Sequence, residues 1–200
     1  MRQLRRCFRV IAFCLAFWIS CTVVAVFPAS AQNDTTLCFS HGTDSWRDEA
    51  TFQRALAACN REINSGRHRG PDLAPYYLAR AYWYDRSDNP DGALQDYGRA
   101  IKVAPNDPET YYFRADYFMR KKDYDRAIAD YTQSIRIEAN FAPGYYMRGH
   151  SYEMTGRRDL AMEDYRRAAS SSATNNRLRE WGRESASKRL ADLAANPTSR

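Results

Sequence analysis

Apolar residues recur at steps of three and four over much of the chain, which is the spacing of one face of an α-helix. The first such segment, residues 48–63, carries apolar side chains on one face from Phe52 to Ile63. Gly66 follows it, as is common just beyond a helix end. The pattern predicts a helix over 48–63. Residues 32–47 are polar without this period, which predicts irregular structure.

Further along, the pattern repeats every 34 residues in the frames 74–107, 108–141 and 142–175. The frames align aromatic residues at Tyr77, Tyr111 and Tyr145, at Tyr84, Phe118 and Tyr152, and at Tyr97, Tyr131 and Tyr165. They align small residues at Ala81, Ala115 and Gly149, at Ala93, Ala127 and Ala161, and at Ala100, Ser134 and Ala168. Each frame predicts two antiparallel helices, in which small residues allow close approach and aromatic rings fill the gaps. Because no frame can bury its apolar faces alone, the units must stack.

This pattern resembles the tetratricopeptide repeat in its period, its small residues and its aromatic positions. Pro105 stands where that family has its terminal proline, whereas Ala139 and Ala173 replace it in the next two units. The resemblance implies an all-α fold, a right-handed α-solenoid of three helix-turn-helix repeats. Residues 48–63 would then be the second helix of a degenerate leading repeat.

Residues 176–195 combine an apolar face with a face of mixed charge, and residues 196–200 form a short tail. The predicted apolar face consists of Leu178, Trp181, Ser185, Leu190 and Leu193. A helix of this kind would cap the solenoid with its apolar side toward the third repeat. Lying on an anionic membrane is the alternative for a basic amphipathic helix, and the mixed charges favour the cap.

The first 31 residues have a different composition from the rest. A basic start is followed by an apolar run over 10–27, then by Pro28 and the small residues 29–31. These features predict a signal peptide cleaved after Ala31, and therefore a periplasmic or secreted protein. An uncleaved anchor is one alternative, since the run is long enough to span a bilayer. Lipidation at Cys21 is another, and either would give a membrane-anchored assembly subunit.

The net charge of +6 belongs mostly to that leader. Without its four arginines the chain has 26 basic against 24 acidic residues, a net charge of +2. No basic run in the remaining sequence follows a backbone-tracking pattern, so we expect no nucleic-acid partner. Membrane contact is expected only through the leader.

Two cysteines, Cys38 and Cys59, remain after the leader, and an even pair in an exported chain predicts one disulfide. A metal site formed with His41 and His68 is the competing interpretation. Its spacing matches no zinc motif, which favours the disulfide.

Asp-Tyr pairs recur once per frame, and an arginine recurs with the same period. The residues are Asp96, Asp130 and Asp164, with Arg80, Arg114 and Arg148. Equivalent residues lie about one repeat apart, too far for paired acid–base chemistry. We therefore expect each aspartate to pair with the periodic arginine of its own or the next repeat, as a structural brace.

No histidine spacing, GxSxG motif or glycine-rich phosphate loop indicates catalysis, and no CxxC indicates redox chemistry. We expect no enzymatic activity, no cofactor and no metal. A hydrolase or a thiol-redox enzyme remains the less favoured alternative.

The resemblance implies a concave groove lined by the first helix of each repeat. Its predicted peptide-binding residues are Leu78, Tyr82, Asp85, Glu109, Tyr112, Asp116, Met119, Tyr146, His150 and Glu153. Tyrosines beside carboxylates suit a protein partner or an extended peptide. Each tyrosine could equally complete the repeat core. Tyr112 and Tyr146 are favoured for the groove because each neighbours a core tyrosine.

Family members that hold the acidic tail of heat-shock chaperones use lysine and asparagine at two groove positions. Here those positions hold Leu78 and Tyr82, then Tyr112 and Asp116, so that clamp is absent. The sequence predicts a non-catalytic protein- or peptide-binding scaffold or adaptor of the bacterial cell envelope.

Overall fold

The computed structural model describes residues 29–40, 49–172 and 176–195. Residues 1–32 and 33–200 form separate units. The first unit lies almost wholly outside the described residues, and the following account concerns the second. The predicted leader up to Pro28 and the tail 196–200 are outside the described residues, as is His41.

Helices account for all regular structure in the described residues. They are α1 (Ala29–Cys38), α2 (Glu49–Asn64), a 3-10 turn (Gly70–Leu73), α3 (Ala74–Arg86), α4 (Pro90–Val103), α5 (Pro108–Arg120), α6 (Tyr124–Ile137), α7 (Ala142–Met154), α8 (Arg158–Ala169) and α9 (Arg177–Ala195). The helix predicted over 48–63 is confirmed as α2. Three helical pairs, α3 with α4, α5 with α6 and α7 with α8, follow the three sequence frames.

The prediction of irregular structure over 32–47 is wrong for its first part, because α1 extends to Cys38. This helix has no apolar stripe that periodicity could detect. It is held instead by side chains of α2. Arg61 donates two hydrogen bonds to Asp34 at 2.8 and 2.7 Å, and the Thr35 hydroxyl donates to Glu62 at 2.7 Å.

A disulfide joins Cys38 to Cys59, as the cysteine count predicted. Both cysteines are fully buried in an apolar cluster with Phe52 and Trp83. The Trp83 indole N–H donates to the carbonyl of Cys38 at 2.9 Å, so α1 and α2 are both fixed to the first repeat.

Helix starts within the repeats follow ordinary capping chemistry. The side chains of Asn89, Asp107 and Asp123 each accept a hydrogen bond from a backbone N–H of the first turn. Pro90 and Pro108 occupy first-turn positions that require no backbone donor.

Small and aromatic residues meet inside each repeat as the alignment predicted. Tyr131 and Tyr165 are fully buried, and so are the aligned alanines Ala115, Ala127 and Ala161. A Cβ at Gly149 would lie 2.9 Å from the Tyr165 ring, so a glycine is needed for this tyrosine to approach α7.

The three arginine–aspartate pairs form within their own repeats, which decides between the two expected arrangements. Each arginine donates from Nε and Nη2 to both oxygens of an almost fully buried carboxylate. The distances are 2.6 and 2.8 Å for Arg80 with Asp96, 2.7 and 2.8 Å for Arg114 with Asp130, and 2.8 and 2.8 Å for Arg148 with Asp164. These bidentate pairs brace the first helix of each repeat against the second.

Two of these arginines also reach the preceding helical pair. Arg80 donates to the Asn60 side chain in α2 at 2.6 Å, and Arg148 donates to Thr132 in α6 at 3.1 Å. In the middle repeat the residue equivalent to Thr132 is Gly98, which offers no side-chain acceptor. The bracing therefore extends between neighbouring units at both ends of the repeat array.

The C-terminal helix α9 packs on both α7 and α8, as a cap should. Its buried residues are Gly182, Ala186 and Leu193. The predicted apolar face is therefore wrong in part, since Trp181 is 42% exposed. The reason is that Gly182, which carries no side chain, forms the closest contact with α7. Among the described residues no helix is long and apolar enough to cross a bilayer.

Candidate functional site

A cavity of about 350 Å³ lies where α3 of the first repeat faces α5 of the second. Apolar and aromatic side chains form most of its wall, and three carboxylates and one arginine supply its charges. The lining residues are Phe39, Pro75, Leu78, Ala79, Tyr82, Tyr97, Asp107, Glu109, Phe113, Asp116 and Arg120.

Arg120 organises one end of this first cavity. It pairs with Asp116 on its own helix and donates to Asp85 of α3 at 2.9 Å, so it links two repeats. Lys121 adds a second cation on Asp85 at 3.0 Å. Burial nevertheless raises the pKa of Asp116, against the opposing charge of Arg120.

Glu109 lies at the start of α5, at the other end of the cavity. It accepts a hydrogen bond from Arg179 of α9 at 3.2 Å. Burial raises the pKa of Glu109, and the charge of Asp107 raises it further. Asp107 itself caps α5, accepting from the Glu109 backbone N–H at 2.9 Å. The negative charges of Asp107 and Glu109 are thus only partly balanced by the contact with Arg179.

A second cavity, of about 530 Å³, lies between the third repeat and α9. Its lining residues are Tyr146, His150, Glu153, Met154, Tyr165 and Arg189. Glu153 is paired with Arg189 and accepts a hydrogen bond from the Tyr165 hydroxyl at 2.7 Å. Burial disfavours the charge on Glu153, but these two donors outweigh it and lower its pKa.

His150 lines the same cavity, where burial lowers its pKa although Glu153 favours its charged form. The charged groups of this cavity therefore satisfy one another within the chain. That differs from the first cavity, where two carboxylates have raised pKa values.

The helix α9 covers part of the predicted groove. Trp181 packs edge-on against Tyr146 with ring centroids 5.2 Å apart. Arg179 donates to Glu138 at 2.6 and 2.9 Å, and its guanidinium lies 5.2 Å from the centre of the Phe141 ring. The third repeat thus presents its first helix to the chain's own C-terminal helix, whereas the cavity at Tyr82 is lined without α9.

Comparison with sequence families gives two adjoining matches. A sequence model of the tetratricopeptide repeat matches residues 76–143, and a second model of that repeat matches residues 142–175. The chain belongs to the tetratricopeptide repeat family. A comparison with curated proteins finds no match.

Solved structures agree on the fold of this tetratricopeptide repeat protein. One crystal structure of MamA superposes with a TM-score of 0.52 at 19% identity, covering 76% of this chain and 92% of that one. A second crystal structure of MamA gives a TM-score of 0.51 at 19% identity, covering 84% and 98%. At this identity the likeness shows the solenoid fold alone.

The predicted groove residues fall into four groups. Four residues line the first cavity, namely Leu78, Tyr82, Glu109 and Asp116. Three line the second cavity beside α9, namely Tyr146, His150 and Glu153. Asp85 binds Arg120 and Lys121, and Met119 packs on the core, where its sulfur accepts from the Ser151 hydroxyl at 3.4 Å.

The remaining prediction, that Tyr112 points into the open groove, is wrong. Tyr112 is only 5% exposed. Its ring packs against Tyr131 at 5.8 Å and against Phe141 at 5.6 Å, between ring centroids. Phe141 lies at the junction just before α7. The pattern within each frame does not predict that this junction covers α5.

Several cavity residues were missed by sequence reasoning. Phe113 and Arg120 lie on α5, and Phe39 comes from just after α1. Phe113 could have been found, because it lies four residues after Glu109 on the same helix face. Phe39 could not, since it follows α1, whose sequence has no apolar stripe that predicts a helix.

The chemistry available at the first cavity is recognition of a side chain. Its walls offer aromatic and aliphatic surface, and its carboxylates can accept charge-assisted hydrogen bonds. Within the described ranges, no group of three or more histidine, cysteine or acidic side chains could hold a metal ion.

Proposed function

We propose that this chain is a non-catalytic protein-binding scaffold of the bacterial cell envelope, and that the cavity between α3 and α5 is its contact surface. The observation that carries this proposal is the composition of that cavity. Residues of two repeats bring apolar walls and partly neutralised carboxylates together, on a part of the groove that α9 does not line.

A scaffold role is supported by the way that the acidic residues are used. The periodic aspartates are bound in bidentate pairs, each inside its own repeat. Glu153 is held by Arg189 and Tyr165. Carboxylates committed to such pairs stabilise the repeats and hold α9, which is a structural use.

The cavity size suits a short contact. A volume of about 350 Å³ accommodates one or two side chains of a partner segment. Tyr82 and Phe113 supply aromatic surface of the kind enriched at protein interfaces.

The location in the envelope rests on the leader and on the cysteine pair. A basic start, an apolar run and Ala29-Ser30-Ala31 are the features of an exported chain, and a structural disulfide fits an oxidising compartment. Mass spectrometry of the protein from its host tests this part. A mature chain that begins at Gln32 is the expected result, and a retained or lipidated leader would instead favour a membrane-anchored subunit.

Photo-crosslinking tests the binding surface. A photoreactive phenylalanine analogue replaces Tyr82 in the cavity or, as a matched control, Tyr124 on α6, since both are partly buried tyrosines. We expect a discrete adduct with an envelope protein from position 82 and none from position 124. Equal adducts from both positions, or none from position 82, would contradict the proposal.

A further inference from the structure

The acidic residues of the first cavity are not matched by basic ones. Asp107, Glu109 and Asp116 line it, and Arg120 is the one cation among those lining residues that the structure describes. Arg120 already serves both Asp116 and Asp85. Lys121 contacts Asp85 outside the lining, so the cavity itself keeps an excess of negative charge.

Cations around the rim do not remove this excess. Arg179 reaches Glu109 from α9, but it also binds Glu138 with two shorter hydrogen bonds. Arg86 lies over the Tyr82 ring, 5.3 Å from its centre. The raised pKa values of Glu109 and Asp116 agree with this geometry, because both carboxylates would gain from one more positive charge.

The chain contains its own example of the missing interaction. The Arg179 guanidinium lies over the Phe141 ring and is held by two carboxylates of the second repeat, Glu109 and Glu138. Aromatic surface beside two carboxylates is also what the first cavity offers, in Phe113, Glu109 and Asp116 of α5. An arginine or lysine side chain fits such a setting, because its stem packs on the rings while its head meets the acids.

We propose that the first cavity binds a basic side chain, arginine or lysine, presented beside an apolar residue in an extended segment of a protein partner. This rests on the proposed binding function and names the chemical class of its partner. An acidic segment or a nucleic acid would place further negative charge against Asp107 and Glu109, so both are disfavoured.

A peptide series on the unmodified protein tests the charge requirement. The probe is acetyl-Gly-Ala-Leu-Arg-Phe-Ala-Gly-amide with a fluorescent label, and its arginine is replaced in turn by lysine, citrulline or glutamate. We expect the arginine and lysine peptides to bind at least tenfold more tightly than the citrulline peptide, since citrulline has the same shape without the charge. The glutamate peptide should bind most weakly, and raising the salt concentration should reduce the difference.

Two matched variants locate the effect. Glu109→Gln should weaken binding of the arginine peptide about tenfold and leave the citrulline peptide unaffected. Glu153→Gln removes an equivalent first-helix carboxylate at the second cavity and should change neither affinity. Circular dichroism of both variants checks the fold.

The outcomes separate this inference from the proposed function. Equal affinity for the arginine and citrulline peptides, or tighter binding of the glutamate peptide, would overturn the basic-side-chain inference and leave a binding cavity. Loss of affinity in Glu153→Gln but not in Glu109→Gln would also overturn it, by moving the site. If no peptide of the series binds, both proposals fail for this cavity.

Discussion

The two ends of the repeat array are covered in different ways. At the N-terminal end, α1 and α2 are joined by the Cys38–Cys59 disulfide and share an apolar cluster with Trp83. At the C-terminal end, α9 packs Ala186 and Leu193 into an apolar cluster with α7 and α8, and Arg179 and Arg189 add ion pairs to carboxylates. One end is fixed by a disulfide and leaves a cavity beside it; the other is held by packing and ion pairs and covers part of the groove.

This difference shows how one repeated unit can give two unlike surfaces. The first helices carry tyrosines and acids in all three repeats, but the described lining of the cavity between α3 and α5 includes no residue of α9, which meets this cavity through Arg179 on Glu109. Whether a groove residue can contact a partner therefore depends less on its residue type than on which element of the chain lies over it. The following predictions test the contrast between the ends, beginning with the largest expected effect.

Removing one buried carboxylate should cost most at the N-terminal repeat. Asp96 is fully buried and accepts from both Arg80 and Arg99. Asp96→Ala leaves Arg80 buried without its partner, and we expect a loss of about 3–5 kcal/mol in the free energy of unfolding. Asp164→Ala should lose less, about 2 kcal/mol, because Asp164 pairs with one arginine where Asp96 pairs with two, and Arg148 is more exposed than Arg80. Urea denaturation measures both, and equal losses would contradict the difference.

The disulfide should contribute nearly as much. Its cysteines lie 21 residues apart, and the Cys38→Ala, Cys59→Ala double variant should lose about 3 kcal/mol on the chain-entropy account. The control is the wild-type protein in 1 M salt, which screens the pairs of α9 but leaves the disulfide intact. Hydrogen exchange should then increase in α9 under salt and in α1 and α2 in the double variant. Faster exchange in α1 and α2 under salt, and in α9 in the double variant, would contradict this difference between the two ends.

The seat of α9 can be tested with a matched pair of glycines. A Cβ at Gly182 would lie 2.5 Å from the backbone nitrogen of Pro143, whereas one at Gly98 would meet nothing within 4 Å. Gly182→Ala should destabilise the protein by about 1–3 kcal/mol through overpacking. Gly98→Ala should stabilise it by up to about 1 kcal/mol, since alanine favours a helix interior. Thermal unfolding compares the two, and a stabilising Gly182→Ala would show that α9 is seated elsewhere.

The smallest effect is a difference in pH dependence between the two cavities. The folded-state pKa of Glu153 is lowered, so its contribution to stability is present above the ordinary value of 4.5 and is lost as the pH falls through the folded value. The pKa of Glu109 is raised, so its ionised form costs stability above the folded value, and acidification relieves this cost.

Thermal unfolding of Glu153→Gln and Glu109→Gln between pH 3 and 7 measures this difference. The melting temperature of wild type should exceed that of Glu153→Gln at pH 7, and this difference should shrink as the pH falls. Over the same range, the melting temperature of wild type should rise relative to that of Glu109→Gln. Slopes of the same sign would mean that the two carboxylates have similar surroundings.

The repeat array was accessible from the sequence because its signals are local and periodic. Tyr97, Tyr131 and Tyr165 recur at one spacing, and the arginine–aspartate pairs recur with them. A residue that repeats in this way reports on its own unit, so its burial follows from one unit, whereas the choice between an arginine of its own repeat and one of the next needed the structure. The capping helix and the disulfide could also be predicted from the sequence.

The rest depends on contacts between parts that share no period. Tyr112 is buried because Phe141 of the next junction lies against it. The helix α1 forms because Arg61 and the disulfide hold it, and its own sequence shows no stripe. The orientation of α9 follows from Gly182, which a search for large apolar residues passes over. The three predicted groove residues of the third repeat, Tyr146, His150 and Glu153, were consequently expected in an open groove although α9 lies beside them.

Hydrogen exchange of the full chain with and without the arginine peptide tests the central claim most directly, because it reports on both cavities at once. The account predicts slower exchange in α3 and in the first turn of α5, with α7 and α9 unchanged. Slower exchange in α7 and α9, with α3 and α5 unchanged, would contradict it and place the binding surface at the covered end.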